Sequence, residues 1–393
     1  MADMVGRRAG VSAGRRATEQ QQRALSTSSR PQPGVAFAFD IDGVLLRGKT
    51  PIPGASAALH SLLDPATGAP AVPFCFITNG GGVSEADKAA ELGRLLDLPP
   101  AAVSPGQVIL AHSPFKDLAT AAPVLVIGGK QSLAVARDCY GFTAAASPAQ
   151  VAAAGHPAQL PLRPPHSPAD VGRLPTCPTS GAPAGSPAFP FTAVLVMYDP
   201  ECWHTDVQVT LDVLAGRGVS AGWRLGTRPP ATRPFLPVHF SNGDVLWANE
   251  HPAPRLGQGA FAAALRAVVS ATGQGDILSQ QLIYGKPTPW PYRLADAALA
   301  GQALKLASSP SSDPGWRKTG IRAVVAVGDN PAADVAGAAA AGEPWVPALV
   351  CTGVHAGPGN CPVNPAAVVV EDVEAAVEWG WRLGRESARA WGV

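Results

Sequence analysis

Two aspartates two residues apart, Asp40 and Asp42, stand at the end of an unbroken apolar run, Val35–Phe39. Side chains on an extended chain alternate with a period of two, so both carboxylates fall on one side while the extension holds through them. Gly43 then lets the chain turn away. A carboxylate beside a carboxylic acid is what phosphoryl transfer through an acyl phosphate requires. In such chemistry Asp40 would attack phosphorus, and Asp42 would protonate the departing alkoxide and later deprotonate water. The same tetrapeptide also serves as a strand-end turn with capping aspartates, so the pair needs companions before it means chemistry.

Four further positions supply them. Thr78 ends a second apolar run, Pro73–Ile77, and is followed by Asn79, Gly80 and two more glycines. Its hydroxyl and the Asn79–Gly80 backbone amides can reach phosphate oxygens with no side chain in the way. Lys286 stands between Gly285 and Pro287, a lone cation suited to pairing with the nucleophile and the transferred group. Asp329 ends a third run, Arg322–Val327, in the sequence Gly328-Asp329-Asn330-Pro331, with Asp334 five residues on. Carboxylates beside a phosphate dianion repel, and Mg²⁺, which favours oxygen ligands, would neutralise them. Asp329 would then be a metal ligand, and Asp334 could orient a metal-bound water. The competing readings are a helix cap at Asp329 or Asn330 and a surface lysine at Lys286.

These side chains need elements to position them. Ser84 with Asp87 forms a capping box after the glycine turn, and Ala86, Ala89, Ala90, Leu92, Leu95 and Leu96 recur at helical spacing. Pro331 opens an Ala-rich helix that Gly342 ends, and Pro347–Cys351 adds a strand. Buried strands alternating with helices imply an α/β fold, a doubly wound parallel-sheet (Rossmann-like) core whose site lies at the carboxyl ends of the strands. Residues 35–114 and 241–393 are assigned to this core and 115–240 to an inserted α/β cap. In the cap, Val124–Ile127 and Ala193–Met197 read as strands, and Thr205 with Gln208 opens a helix through Leu214. Residues 143–192, rich in Ala, Pro and Ser, read as a mobile insertion, and 307–320 as a loop.

Composition narrows the ligands. A net charge of +1 gives no field that would favour nucleic acid, so a small phosphorylated metabolite is the expected partner. Six cysteines show neither CxxC pairing nor zinc spacing. No apolar run approaches the roughly 18 residues of a membrane span. The sequence is silent on oligomeric state and leaves a homodimer open. Residues 1–34 carry Arg7, Arg8, Arg15, Arg16, Arg23 and Arg30 against only Asp3 and Glu19, with Ser26, Ser28 and Ser29 near the end. That composition fits a transit peptide, mitochondrial first and plastid second; a disordered tail on a cytoplasmic protein is the bland alternative.

Together, Asp40-Ile41-Asp42-Gly43, Thr78-Asn79, Gly285-Lys286-Pro287 and Gly328-Asp329 through Asp334 resemble the four ordered motifs of the haloacid dehalogenase superfamily. The long insertion resembles the larger α/β (type IIA) cap of its phosphoglycolate, nitrophenyl-phosphate and nucleotide phosphatase branch. Gln107–Pro114, Ser241–Trp247, Arg255–Gly259 and Val350–Val354 resemble the cat eye syndrome critical region protein five family, described as mitochondrial and hydrolase-like. The resemblance implies that Asp40 is nucleophile and metal ligand. Asp42 is the acid/base and lends a backbone carbonyl to Mg²⁺. Thr78 and Lys286 stabilise the phosphoryl group, Asp329 is a metal ligand, and Asn330 and Asp334 stand behind it. An aspartate at position 42 points to phosphatase rather than dehalogenase or ATPase chemistry. The Pro-rich stretch 155–187 has no counterpart. Hydrolysis of a small phosphomonoester through an aspartyl phosphate is the leading expectation; a catalytically silent binding or assembly protein and a phosphotransferase are its rivals.

Overall fold

A computed structural model describes residues 34–120, 122–154, 160–161, 174–184, 186, 189–216, 235–247, 249–251, 253–306, 319–357 and 359–390. The expected transit segment, all but its last residue, lies outside them, as do most of 155–173 and 307–318.

Among the described residues, fifteen short strands fall into two parallel sheets and two hairpins. The larger sheet takes β1 (Val35–Phe39), β4 (Phe74–Ile77), β5 (Val108–Ile109), β13 (Ala323–Gly328), β14 (Trp345–Val350) and β15 (Val368–Val370), in the order β15-β14-β13-β1-β4-β5. Every pairing in it is parallel. From β1 the chain winds first toward β4 and β5, and later returns to β13 and winds the other way. The carboxyl ends of β1 and β13 therefore flank a switch point, where open α/β sheets bind their ligands.

Both faces of this sheet are covered, which is why its strands read as continuous apolar runs. On one side Phe37, Phe39, Phe74 and Phe76 pack with Ala89 and Leu92 of α2 (Glu85–Leu95), with Ala55 and Leu59 of α1 (Ala55–His60), and with Val373, Ala376 and Val377 near the start of Val373–Ala390, the last helix. On the other, Ala36, Ala38 and Val324 pack with Tyr292, Ala295 and Leu299 of the helix Pro289–Leu306. Ser84 caps α2 by accepting from Asp87 N at 3.0 Å, as its spacing implies. Trp381 meets Phe37 at 6.2 Å, a packing role, and Glu371, Glu374 and Glu378 face solvent.

The second sheet runs β12-β9-β8-β6-β7, again parallel, from β6 (Val124–Ile127), β7 (Ala145–Ala146), β8 (Ala193–Val196), β9 (Val238–Phe240) and β12 (Gln281–Ile283). Its helices are α3 (Lys130–Ala134), α4 (Pro148–Ala154), α5 (Trp203–Ala215) and α6 (Gln258–Ala271). Three readings of the sequence change here. The sheet takes in α6 and β12, which the boundary at residue 240 left in the core. Phe261, Leu265 and Val269 pack with Val194, Val196 and Val238, while the turn at Ser241–Asp244 only resembles an exit from the module. Within the expected mobile insertion 143–192, β7 and α4 are regular elements, and Phe189 and Phe191 meet edge to face at 4.7 Å inside the same cluster. Helix α5 begins at Trp203 rather than at a Thr205 cap, and Trp203 packs on Phe261 at 5.7 Å, away from the cleft. Two small hairpins, β2–β3 (Leu46–Arg47, Thr50–Pro51) and β10–β11 (Leu246–Trp247, Arg255–Leu256), stand at the cleft. After the helix Pro289–Leu306, numbered α7, come α8 (Ala336–Ala341), preceded by a wider turn at Pro331–Val335, and the last helix as α9. Among the described residues no helix is long and apolar enough to cross a membrane.

Candidate active site

Asp40 follows the last residue of β1, and its backbone N–H still donates to Val327 O of β13 at 2.9 Å, so the sheet itself fixes where its side chain starts. Lys286 Nζ lies 2.7 Å from Asp40 Oδ1 and 2.5 Å from Asp334 Oδ1, with all three side chains nearly closed to solvent. Asp40, Asp329 and Asp334 each offer a carboxylate oxygen within 4.8 Å of the others. The structure thus brings together residues from positions 40, 286, 329 and 334.

One ammonium does not neutralise three buried carboxylates. Burial pushes Asp40 well above the usual carboxylate range despite Lys286, and burial followed by the charge of Asp334 pushes Asp329 up to about 7. Burial works against the Lys286 charge, but Asp334 and Asp40 more than reverse this and hold its ammonium above the ordinary range. A cluster of hard oxygen donors with excess negative charge fits a small divalent cation such as Mg²⁺.

Glycines make the cluster possible. A Cβ at Gly43 would come 2.8 Å from Asp329 Cγ, and one at Gly353 would come 2.6 Å from the same atom. A Cβ at Gly328 would overlap the side chain of Asp334. The Asp329 carboxylate is held from the loop after β14, where Val354 N donates to Oδ2 at 2.6 Å. Asp334 Oδ2 accepts from Asn330 N at 2.9 Å. Asn330 caps the turn that follows, its Oδ1 accepting from Ala332 N at 3.0 Å.

Asp42 is exposed to the cleft rather than joined to the cluster, yet the surrounding protein raises its carboxyl above the ordinary value, with Lys88 and Lys286 opposing. Thr78 is buried at the end of β4, and its Oγ1 accepts from Gly80 N at 2.9 Å, closing a tight turn. Asn79 does more than line the site. Its Oδ1 accepts from Lys286 N at 2.8 Å, and its Nδ2 donates to Lys286 O at 3.1 Å and to Asp244 Oδ2 at 2.8 Å. Asn242 Nδ2 in turn donates to Asn79 O at 2.9 Å.

All of this opens into a cleft of about 790 Å³ between the two sheets, reached also by Arg47, Lys88, Tyr198, Asp199, Trp247 and Glu250. Burial, then the nearby charge of Asp244, pushes Asp199 up to about 6. The sequence reading assigned no chemistry to Asn242, Asp244, Trp247 or the Gly353–Val354 clamp. Their motifs were visible, but a backbone donor and a residue that positions another residue carry no distinctive side-chain pattern.

Comparison with known proteins gives the family of the chain. A haloacid dehalogenase-like hydrolase model matches residues 37–143, and a second, HAD-hydrolase-like model matches residues 283–376. A mitochondrial hydrolase of Saccharomyces cerevisiae is 33% identical over 379 residues, covering 91% of this chain and 97% of that protein. The chain belongs to the haloacid dehalogenase-like hydrolases. Within that family it is also similar to a cardiolipin synthase (CMP-forming)/mitochondrial hydrolase fusion protein of Schizosaccharomyces pombe. The two are 30% identical over 93% of this chain, which spans 56% of the fusion. The fold is that of a glycerol phosphate phosphatase from Mycobacterium tuberculosis in complex with magnesium, with a TM-score of 0.52 and 21% identity over 89% of this chain and 79% of that one.

Proposed function

We propose that this hydrolase is a magnesium-dependent phosphatase of small phosphomonoesters, working through an aspartyl phosphate on Asp40. The observation that carries the reading is the placement of Asp40: sheet-anchored, paired with Lys286, and inside a carboxylate cluster at the floor of the cleft. In the first step an Asp40 oxygen forms a bond to phosphorus while the bond from phosphorus to the ester oxygen breaks, and Asp42 gives that oxygen its proton. In the second, Asp42 takes a proton from water as the water oxygen attacks phosphorus and the Asp40 carboxylate leaves with its electron pair. Lys286, the Thr78 hydroxyl and the backbone amides of the turn that follows it would balance charge on the phosphoryl oxygens. Asp40, Asp329 and the Asp42 carbonyl would hold Mg²⁺, which supplies charge neutralisation for the attacking and transferred oxygens. Asp334, tied to Lys286 and Asn330, stands behind them.

A mitochondrial location is part of the proposal, supported by the names of both relatives and by the Arg-rich, acid-poor composition of residues 1–34. The test is a panel of phosphomonoesters with Mg²⁺, including p-nitrophenyl phosphate, glycerol phosphate and phosphorylated lipid head groups, the last because one relative is fused to a cardiolipin synthase. Release of inorganic phosphate, abolished by chelator and by Asp40→Asn, is the expected outcome. No turnover across the panel would favour a binding or assembly role, and a phosphorylated product other than free phosphate would favour phosphotransfer.

A further inference from the structure

The glycines at positions 81 and 82 answer to contacts outside the phosphoryl site. A Cβ at Gly81 would stand 2.7 Å from His112 Cδ2, and one at Gly82 would stand 2.7 Å from Tyr198 Cδ1. The loop after Thr78 is therefore pressed between a ring from the core and a ring from the cap. His112 is completely buried, and it grips the loop directly, its Nε2 accepting from Gly82 N at 3.1 Å. The neighbouring Ala111 N donates to Gly80 O at 3.1 Å.

The other His112 nitrogen, Nδ1, lies 2.6 Å from the hydroxyl of Tyr140, a residue of the cap. Tyr140 Oη donates to Glu85 Oε1 at 2.7 Å, so its oxygen is free to accept from His112 Nδ1–H, which leaves the Nε2 lone pair for Gly82. Burial pushes His112 down to about 4, and only the neutral ring can accept there. Glu85, the first residue of α2, also takes donors from Ser113 Oγ at 2.6 Å and Lys116 Nζ at 2.8 Å. Burial opposes its charge, but Lys116, Ser113 and Tyr140 together hold its carboxyl below the usual range. This closed chain of donors links the glycine loop, the junction at residues 110–117 and the cap. Apolar side chains would fill the same space without the desolvation cost of burying so many polar groups, so packing alone does not explain it.

We propose that His112 is a positioning residue for phosphoryl transfer, tied to the cap through Tyr140. Through this chain the docked cap fixes the Gly80–Gly82 loop in a shape where Thr78 and His112 hold the Gly80 and Gly82 amides, leaving those of Asn79 and Gly81, which line the cleft, to meet phosphoryl oxygens. Assembly of the phosphate site and seating of the cap are then one event. The inference rests on the phosphatase reading of the cleft.

Its test uses the full chain with Mg²⁺, p-nitrophenyl phosphate as substrate, inorganic phosphate as inhibitor, and the variants Tyr140→Phe, His112→Leu and His112→Gln. Tyr140→Phe and His112→Leu should raise both KM and the inhibition constant of phosphate by about ten- to a hundredfold, the range for a lost hydrogen bond to a charged group, while kcat changes less. His112→Gln keeps an acceptor for Gly82 and should recover most of the loss. A merely structural role would lower melting temperatures and leave the phosphate constant, measured well below melting, where it was. Folded Tyr140→Phe with wild-type KM and phosphate inhibition overturns the inference, and it decides the matter alone should His112→Leu not fold. A wild-type protein that hydrolyses nothing defeats the phosphatase reading instead. Calorimetric phosphate binding to the Mg²⁺-loaded protein then makes the same comparison of wild type with Tyr140→Phe, and no binding by wild type overturns both.

Discussion

Gly353→Ala is the sharpest perturbation available to the carboxylate cluster, because it adds one methyl group and no charge. That methyl would stand 2.6 Å from Asp329 Cγ and 2.8 Å from Asp329 Cβ, where ordinary contact begins at 3.4 Å. Clearing it requires an opening of about 0.8 Å at Cγ and 0.6 Å at Cβ, the differences between those distances. Rotation of the side chain cannot clear the Cβ contact. Strand β13 is buried along its whole length, so the loop carrying Gly353 must give way, and Val354 N, which holds Asp329 Oδ2 at 2.6 Å, moves with it. Misplacement of a reacting group by about 1 Å costs roughly 10²-fold in rate. We therefore expect kcat/KM on p-nitrophenyl phosphate to fall about 10²-fold, with half-saturation by Mg²⁺ moved up by about tenfold, since the same shift spoils a metal ligand. Gly357→Ala is the control, since no heavy atom lies within 4 Å of a Cβ there. Wild-type kinetics and Mg²⁺ dependence in Gly353→Ala would show that the position of Asp329 does not matter, and the account of the cluster would fail.

Three further outcomes follow from the same geometry. Asp42→Asn should lower kcat by about 10²- to 10⁴-fold, the range for a lost general acid, and an unchanged rate would remove its assigned role. Chelation should lower the melting temperature at neutral pH, and Mg²⁺ at a hundred times its dissociation constant should return about 2.7 kcal/mol. The sign follows from Asp329: a carboxyl raised to about 7 in the fold binds its proton more tightly than the unfolded chain does, so metal-free stability should fall as pH climbs from about 4 to 7. Melts that ignore Mg²⁺ at every pH would contradict this. His112 acts in the opposite sense. Burial holds it down to about 4 against 6.5 for the free side chain, so the unfolded state takes up a proton that the native state refuses. Its contribution is complete above pH 6.5 and is lost as pH falls toward 4. Urea denaturation across that window should show wild type losing up to about 1.4 kcal/mol per pH unit more than His112→Gln; parallel curves would refute the assignment.

The core sheet and the placement of Asp40, Thr78 and Asp329 were legible because a strand buried on both faces is an unbroken apolar run, and the first polar residue after it marks its carboxyl end. The partnerships within the carboxylate cluster were less so. Asp334, expected to orient a metal-bound water, also bonds Lys286 directly, a partnership between residues 48 apart that no local spacing encodes. Asn79, read as a phosphate-binding residue, also clamps the backbone of Lys286 and meets Asp244. The cap boundary failed for a physical reason. The turn at Ser241–Asp244 has the composition of a hinge, yet β12 pairs with β9, and α6 buries Phe261 and Leu265 against the cap sheet, contacts that depend on tertiary packing. His112 is a core residue, but the hydrogen bonds that make it more than filler come from residues 28 and 30 positions away.

The most direct test is to look for the phosphoryl group on the protein. Asp42→Asn, mixed with p-nitrophenyl phosphate and Mg²⁺ and quenched in acid within a single turnover, should yield a peptide phosphorylated at Asp40 by mass spectrometry, because its breakdown lacks a base. Phosphate release by the wild-type protein with Asp40 unmodified in that experiment, and with activity surviving Asp40→Asn, would contradict the nucleophile assignment.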